Sequence, residues 1–270
     1  RTRYSGKQPL KSFTPGAYSF EQRGTGAYKI TITQRCMASQ PLTFRYTPEQ
    51  VAALELTISP ERLSTYVAMA GGDKALAILF YERNIILSEA LYGVLQRLEV
   101  AVRNAFHNTL TAGLGRRDWY DHAPLFDPEL AAVAKAKQKL SQNGKPWTPG
   151  RIVAELSFGF WAALTHKGYA RRLWDPHLHK AFPHRRMNHK MAFARLESLR
   201  KLRNRVAHHE PITSRNLQQD LTDIIETIGW MCPTAALWVE QTNTLQVRLA
   251  APVPTSADLA AMSSAESPTE

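Results

Sequence analysis

Asn188-His189-Lys190-Met191-Ala192-Phe193-Ala194-Arg195-Leu196-Glu197-Ser198-Leu199-Arg200-Lys201-Leu202-Arg203-Asn204-Arg205-Val206-Ala207-His208-His209-Glu210-Pro211 reads as an amphipathic helix with a stop behind it. Ala192, Leu196, Leu199, Leu202 and Val206 recur at three- and four-residue steps, so one face is apolar and must be covered by other helices. The spacing predicts a helix over roughly 188–209, and Pro211 disfavours helical backbone at Glu210. On an ideal wheel Arg203 lies about 40° from Leu199, at the edge of the stripe, and about 140° from His208. One straight helix cannot point both at the same atom. Either the helix loosens near 207–210 or a second subunit supplies one of the groups. A partly buried guanidinium at the edge of the stripe needs a carboxylate or a phosphate.

Outward from this helix, the apolar period stays close to 3.6 almost throughout. Thr47-Pro48 and Ser59-Pro60 carry N-cap and first-turn signals for short helices over 47–53 and 60–70. Gly71-Gly72-Asp73 is a break. A helix from about 74 to 112 follows, with an interruption expected near Arg83-Asn84. Further helices are expected over Pro128–Leu140, from Thr148-Pro149 through about Thr165, and over about 214–230 as the last. Residues 168–174 read as a short helical turn and 177–186 as a His/Arg-rich connector. No run in the core alternates as a strand over more than four or five residues. The fold class is all-α, a helical bundle.

The two ends differ from the middle. Residues 1–36 lack a sustained period and carry seven Lys/Arg against the single Glu21, and Met37-Ala38-Ser39-Gln40-Pro41 reads like a protein start. The expectation is that 1–36 is a non-native or disordered extension. Ala251 to Glu270, rich in Ala, Ser, Pro and Thr, is expected to be a disordered tail. Formal charge is +11 for the chain; removing +6 at the front and −3 at the tail leaves +8 for residues 37–250. The basic excess belongs to the folded part, which favours a polyanionic partner, nucleic acid first. Two cysteines, Cys36 and Cys232, make no disulfide framework and no metal-ligand spacing. With no apolar leader and no membrane span (Ile224 to Val239 is broken by Glu226 and Pro233), the expected location is the cytoplasm.

Arg203, Asn204 and His208 carry the chemistry. Arginine grips phosphate, and histidine, with an ordinary pKa of about 6.5, moves protons near neutral pH. An Arg and a His five apart are ordinary taken alone, and a helix-boundary salt bridge with a C-terminal histidine accounts for them. The whole string from Arg200 to Pro211 is more specific. It resembles the terminal motif of the abortive-infection (Abi-like) proteins of bacteria, within the wider HEPN superfamily: an arginine, a polar residue, and a histidine four to six positions on. Leu87-Ser88-Glu89-Ala90-Leu91-Tyr92, Leu98-Glu99-Val100-Ala101-Val102-Arg103-Asn104-Ala105, Trp119-Tyr120-Asp121, Glu155-Leu156-Ser157-Phe158-Gly159-Phe160-Trp161 and Gly229-Trp230-Met231-Cys232-Pro233 resemble the family in the same order. The resemblance covers residues 37 to about 240.

It implies a HEPN-type helical bundle over 37–240, a homodimer with its two motifs facing across a two-fold axis, and a metal-independent endoribonuclease acting as a toxin or phage-defence effector. The implied partners are RNA and an antitoxin or phage-derived activator; no cofactor, metal or membrane is called for. His208 would be the general acid or base, Arg203 would neutralise charge on the phosphoryl oxygens, and Asn204 would orient the scissile group or the histidine. Glu99, Arg103, Asn104 and His209 are supporting residues. Glu99 either pairs with Arg103 four residues on or accepts from Arg203 across the bundle, with Arg103 and Asn104 facing the RNA. His209 is a second proton carrier or a neighbour that props the first.

Phosphate-tracking candidates are Arg185 and Arg186, in a stretch with four histidines, and Arg116 and Arg117 beside Trp119-Tyr120, aromatics that either stack on bases or fill the core. Two alternatives stand beside the nuclease: a catalytically silent HEPN module that binds RNA or a partner protein, and a basic DNA-binding regulator. The absence of a clear recognition helix argues against the last.

Overall fold

A computed structural model describes residues 18–23, 27–32 and 46–264. Two compact units are present: residues 51–255, and a smaller one to which the other described residues belong. In the smaller unit Tyr18–Arg23 (β1) and Ala27–Ile32 (β2) pair as an antiparallel hairpin, with Tyr18 opposite Ile32 and Arg23 opposite Ala27. This ladder lies in the segment expected to be an extension; the rest of 1–36 is outside the described residues.

The larger unit is entirely helical among the described residues. Its helices are α1 (Pro48–Ile58, in this unit from Val51), α2 (Pro60–Met69), α3 (Lys74–Leu114), α4 (Asp127–Gln142), α5 (Pro149–Glu155), α6 (Phe158–Ala163), α7 (His189–Ala207), α8 (Leu217–Met231), α9 (Pro233–Thr242) and α10 (Leu245–Ala250). Short 3-10 turns at Trp119–Asp121, Lys167–Tyr169 and Leu178–Ala181 and one π turn at Ala170–Trp174 fill the connections.

The organising element is α3. At 41 residues it is about 60 Å long, and α2, α6, α7, α8 and α10 all pack on it. Gly71 and Gly72 take the positive φ that a chain reversal requires, and the Asp73 carboxylate accepts from Ala75 and Leu76 N–H at 2.9 and 3.0 Å to start the helix. Gly115, at φ 70°, ends it. Leu91, Leu98, Val102, Phe106 and Leu110 are fully buried along its length. Trp119, Phe160 and Trp161 form a buried aromatic cluster with ring centroids 5.1–6.4 Å apart, Trp161 meeting each of the other two edge-on.

Four expectations need correction. No interruption occurs at Arg83-Asn84: α3 runs through, and Asn84 is 3% exposed because its carboxamide oxygen accepts the buried Ile212 N–H at 2.8 Å. The helix expected over 148–165 is two helices, because the Ser157 hydroxyl caps a new start by accepting from Phe160 N–H. The helix after 214 is not the last, since α9 and α10 follow in this unit. Within the tail expected to be disordered, α11 (Ser256–Ser264) forms, in the smaller unit, and 265–270 lie outside the described residues.

Among the described residues no helix is long and apolar enough to cross a membrane.

Candidate active site

The stripe of α7 decides where the motif stands. Ala192, Leu196, Leu199, Leu202 and Val206 are all buried, so the helix is locked in rotation and Arg203 emerges beside α3. Its Nε donates to Glu99 Oε2 at 3.3 Å, with the arginine side chain 37% and the glutamate 25% exposed. Glu99 therefore pairs across the bundle rather than with Arg103 on its own helix. Arg103 Nε instead approaches Asn104 Oδ1 at 3.4 Å, and both are on the α3 surface. Among the described residues the Glu99 contact occupies one of the five guanidinium donors of Arg203. The neighbouring arginines are engaged elsewhere. Arg200 makes a bidentate pair with Glu197 at 2.7 Å for each bond, which holds the Glu197 carboxyl below its ordinary range. Arg205 donates to the Pro211 carbonyl.

The helix ends at Ala207. His208 is the C-terminal cap, its N–H reaching the Asn204 and Val206 carbonyls, and His209 takes a left-handed φ of 57°. Glu210 N–H then closes on the Arg205 carbonyl at 2.8 Å. The turn is tied to two distant helices: Arg62 of α2 donates to the His209 carbonyl at 2.8 Å, and Asn84 of α3 accepts from Ile212.

Two adjoining clefts flank this turn. One, of about 330 Å³, is lined by Tyr92, Gln96, Glu99, Arg203 and His209 among others. The second, of about 480 Å³, is lined by Tyr81, Asn84, Ser88, Glu89, Tyr92 and His209 among others. His208 is exposed and lines neither. The structure thus gathers Arg203, Glu99 and His209 around one hollow, keeps Asn204 half-buried on α7, and leaves His208 exposed and outside both clefts.

The more distant basic candidates separate. Arg116 is held by Asp118 through two bonds of 2.8 and 3.0 Å, and that guanidinium draws the Asp118 carboxyl down to about 2. Trp119 and Tyr120 are 0% and 2% exposed, so they belong to the core and offer no stacking surface to a base. Arg117 lowers the proton affinity of His107, although burial is the larger cause. Arg185 lies over the Trp230 ring, 5.9 Å from its centroid, and shares that ring with Arg195 at 4.7 Å. Arg185 and Arg186 line one cleft together with Lys180. Among the described residues no group of three or more His, Cys, Asp or Glu side chains is arranged to hold a metal ion.

Arg62 and Asn84, which shape the turn, carry no motif signal in the sequence. Their partners lie 147 and 128 positions away. Comparison of the chain with family models, curated proteins and solved structures returns no match. The likeness to the Abi-like proteins accordingly rests on the motifs quoted above.

Proposed function

We propose that this protein is a metal-independent endoribonuclease of Abi-like, HEPN type, acting on RNA in the cytoplasm as a toxin or phage-defence effector. The observation that carries the reading is the hollow between α3 and α7, where Arg203 is oriented by Glu99 yet keeps donors for a further anion. A ribose 2′-OH would attack its own 3′-phosphate and expel the 5′-oxygen, leaving a 2′,3′-cyclic phosphate and a 5′-OH. Arg203 neutralises charge building on the non-bridging oxygens. His208, one residue past the helix end, transfers a proton. His208 lies outside the Arg203 cleft, and the homodimer that the resemblance implies would bring His208 of one copy to the cleft of the other.

The test is growth. Expression of the wild type stops growth and His208→Ala is tolerated; equal tolerance of both would remove the nuclease.

A second reading has one observation in its favour. The Arg203–Glu99 pair joins α7 to α3, which is what a catalytically silent module would need the arginine for. In that case Arg203→Ala changes stability and partner binding, and the wild type cleaves nothing.

A further inference from the structure

We infer that His209 is the second proton carrier of the Arg203 cleft and that Arg62 is its positioning residue. The inference rests on the ribonuclease reading and deepens it. Cyclisation of a ribose phosphate moves two protons: the 2′-oxygen loses one as it bonds to phosphorus, and the 5′-oxygen gains one as its bond to phosphorus breaks. Two carriers are needed, and His208 supplies one.

The backbone at His209 is held in an unusual conformation. A left-handed φ of 57° is uncommon for a residue with a β-carbon, and glycine is the ordinary occupant one position past a helix cap. Here a histidine holds that conformation, and the backbone around it is secured on both sides. Its N–H reaches the Val206 carbonyl at 3.2 Å, and its own carbonyl accepts from Arg62 Nη1 at 2.8 Å. The result is that His209 lines the hollow containing Glu99 and Arg203 and also the adjoining one containing Tyr81 and Glu89, with Tyr92 shared between them. Among the described residues, the titratable or charged groups near it are those five side chains, Arg62, whose guanidinium bonds the His209 carbonyl, and, within the turn itself, Arg205, His208 and Glu210. His208, its neighbour in sequence, lines neither hollow.

The experiment uses the full chain, labelled total cellular RNA in EDTA, and a 2′-O-methyl oligoribonucleotide that binds without being cut. His209→Asn is the informative variant, because asparagine tolerates left-handed backbone and carries no titrating proton. The wild-type rate is expected to be bell-shaped in pH. His209→Asn is expected to be slower by about 100-fold or more, to lose one limb of the bell, and to bind the uncleavable oligonucleotide as before. Arg62→Ala lowers the rate and displaces that same limb, and Arg62→Lys, which can still donate to the carbonyl, restores most of both. A wild type that cleaves RNA while His209→Asn stays within about threefold with both limbs intact overturns the inference alone. Equal behaviour of Arg62→Ala and Arg62→Lys overturns the positioning role. A wild type that cleaves nothing overturns the ribonuclease reading and takes the inference with it.

Discussion

Removing the Asn84 carboxamide should loosen the turn that carries both histidines. Asn84 is 3% exposed and Ile212 fully buried, and the bond between them is 2.8 Å long. In Asn84→Ala the Ile212 N–H loses its acceptor in a place water does not reach. An orphaned buried donor costs about 1–3 kcal/mol. For a unit of this size each kcal/mol moves the melting temperature by roughly 2–4 °C, so a fall of about 2–12 °C is expected. Equilibrium urea unfolding read by circular dichroism gives the free energy directly. Asn84→Leu keeps the branched shape, with somewhat greater bulk and no acceptor, and so separates filling the site from hydrogen bonding. Both variants should be destabilised. If Asn84→Leu matches the wild type while Asn84→Ala does not, the site needs only volume, and the claim that the carboxamide pins residues 208–212 to α3 is wrong.

Other outcomes follow from the same contacts. Glu99→Gln should cost under about 1 kcal/mol of stability, since the pair with Arg203 is partly exposed, yet slow RNA cleavage by about tenfold or more by misorienting the guanidinium; an unchanged rate would leave Glu99 a merely structural partner. His107 accepts from Trp119 Nε1 at 3.0 Å, and burial followed by Arg117 lowers its pKa below the ordinary 6.5. With the folded value below the unfolded one, the unfolded chain binds the proton first. The stability contributed is therefore full above about pH 6.5 and lost as pH falls through the folded value. Thermal melts of His107→Gln, which keeps an acceptor and does not titrate, should show a shallower loss below that pH, and identical slopes would contradict the assignment. Gly113→Ala would be stabilising on helix propensity alone, but a β-carbon there would sit 2.2 Å from His177 Nδ1 and 2.8 Å from its Cγ. A loss of about 1–3 kcal/mol is expected in denaturant titrations, and a gain would show that the His177 ring swings aside freely.

What the sequence discloses of this fold depends on how local the cause is. The α7 stripe was legible because a one-sided period of 3.6 has a single explanation, and Gly71-Gly72-Asp73 because positive φ and a capping carboxylate act within four residues. Asn84 was misread as an interruption for the opposite reason. A polar residue amid an apolar run marks a buried acceptor only if its partner is known, and Ile212 is 128 positions away. The division at Ser157 was missed because a serine in mid-helix and a serine cap look alike until its hydroxyl is seen accepting from Phe160. Beyond 231, Pro233 and the Ala-rich composition concealed three more helices. At the candidate site, the motif string and the resemblance it carries brought forward Arg203, Glu99 and the two histidines. It could not say which histidine lines the cleft, because the left-handed turn at His209 and its tie to Arg62, 147 positions away, leave no mark on a helical wheel. Arg116 was legible in principle: Asp118, two residues on, is the carboxylate that neutralises it.

The most direct test of the central claim is cleavage of total cellular RNA by the purified full chain in EDTA, comparing the wild type with Arg203→Ala and His208→Ala. Fragments ending in 2′,3′-cyclic phosphate from the wild type, absent with both variants, are the predicted result. Wild-type protein that binds the RNA and leaves it whole, or variants that cut as fast as the wild type, would contradict it.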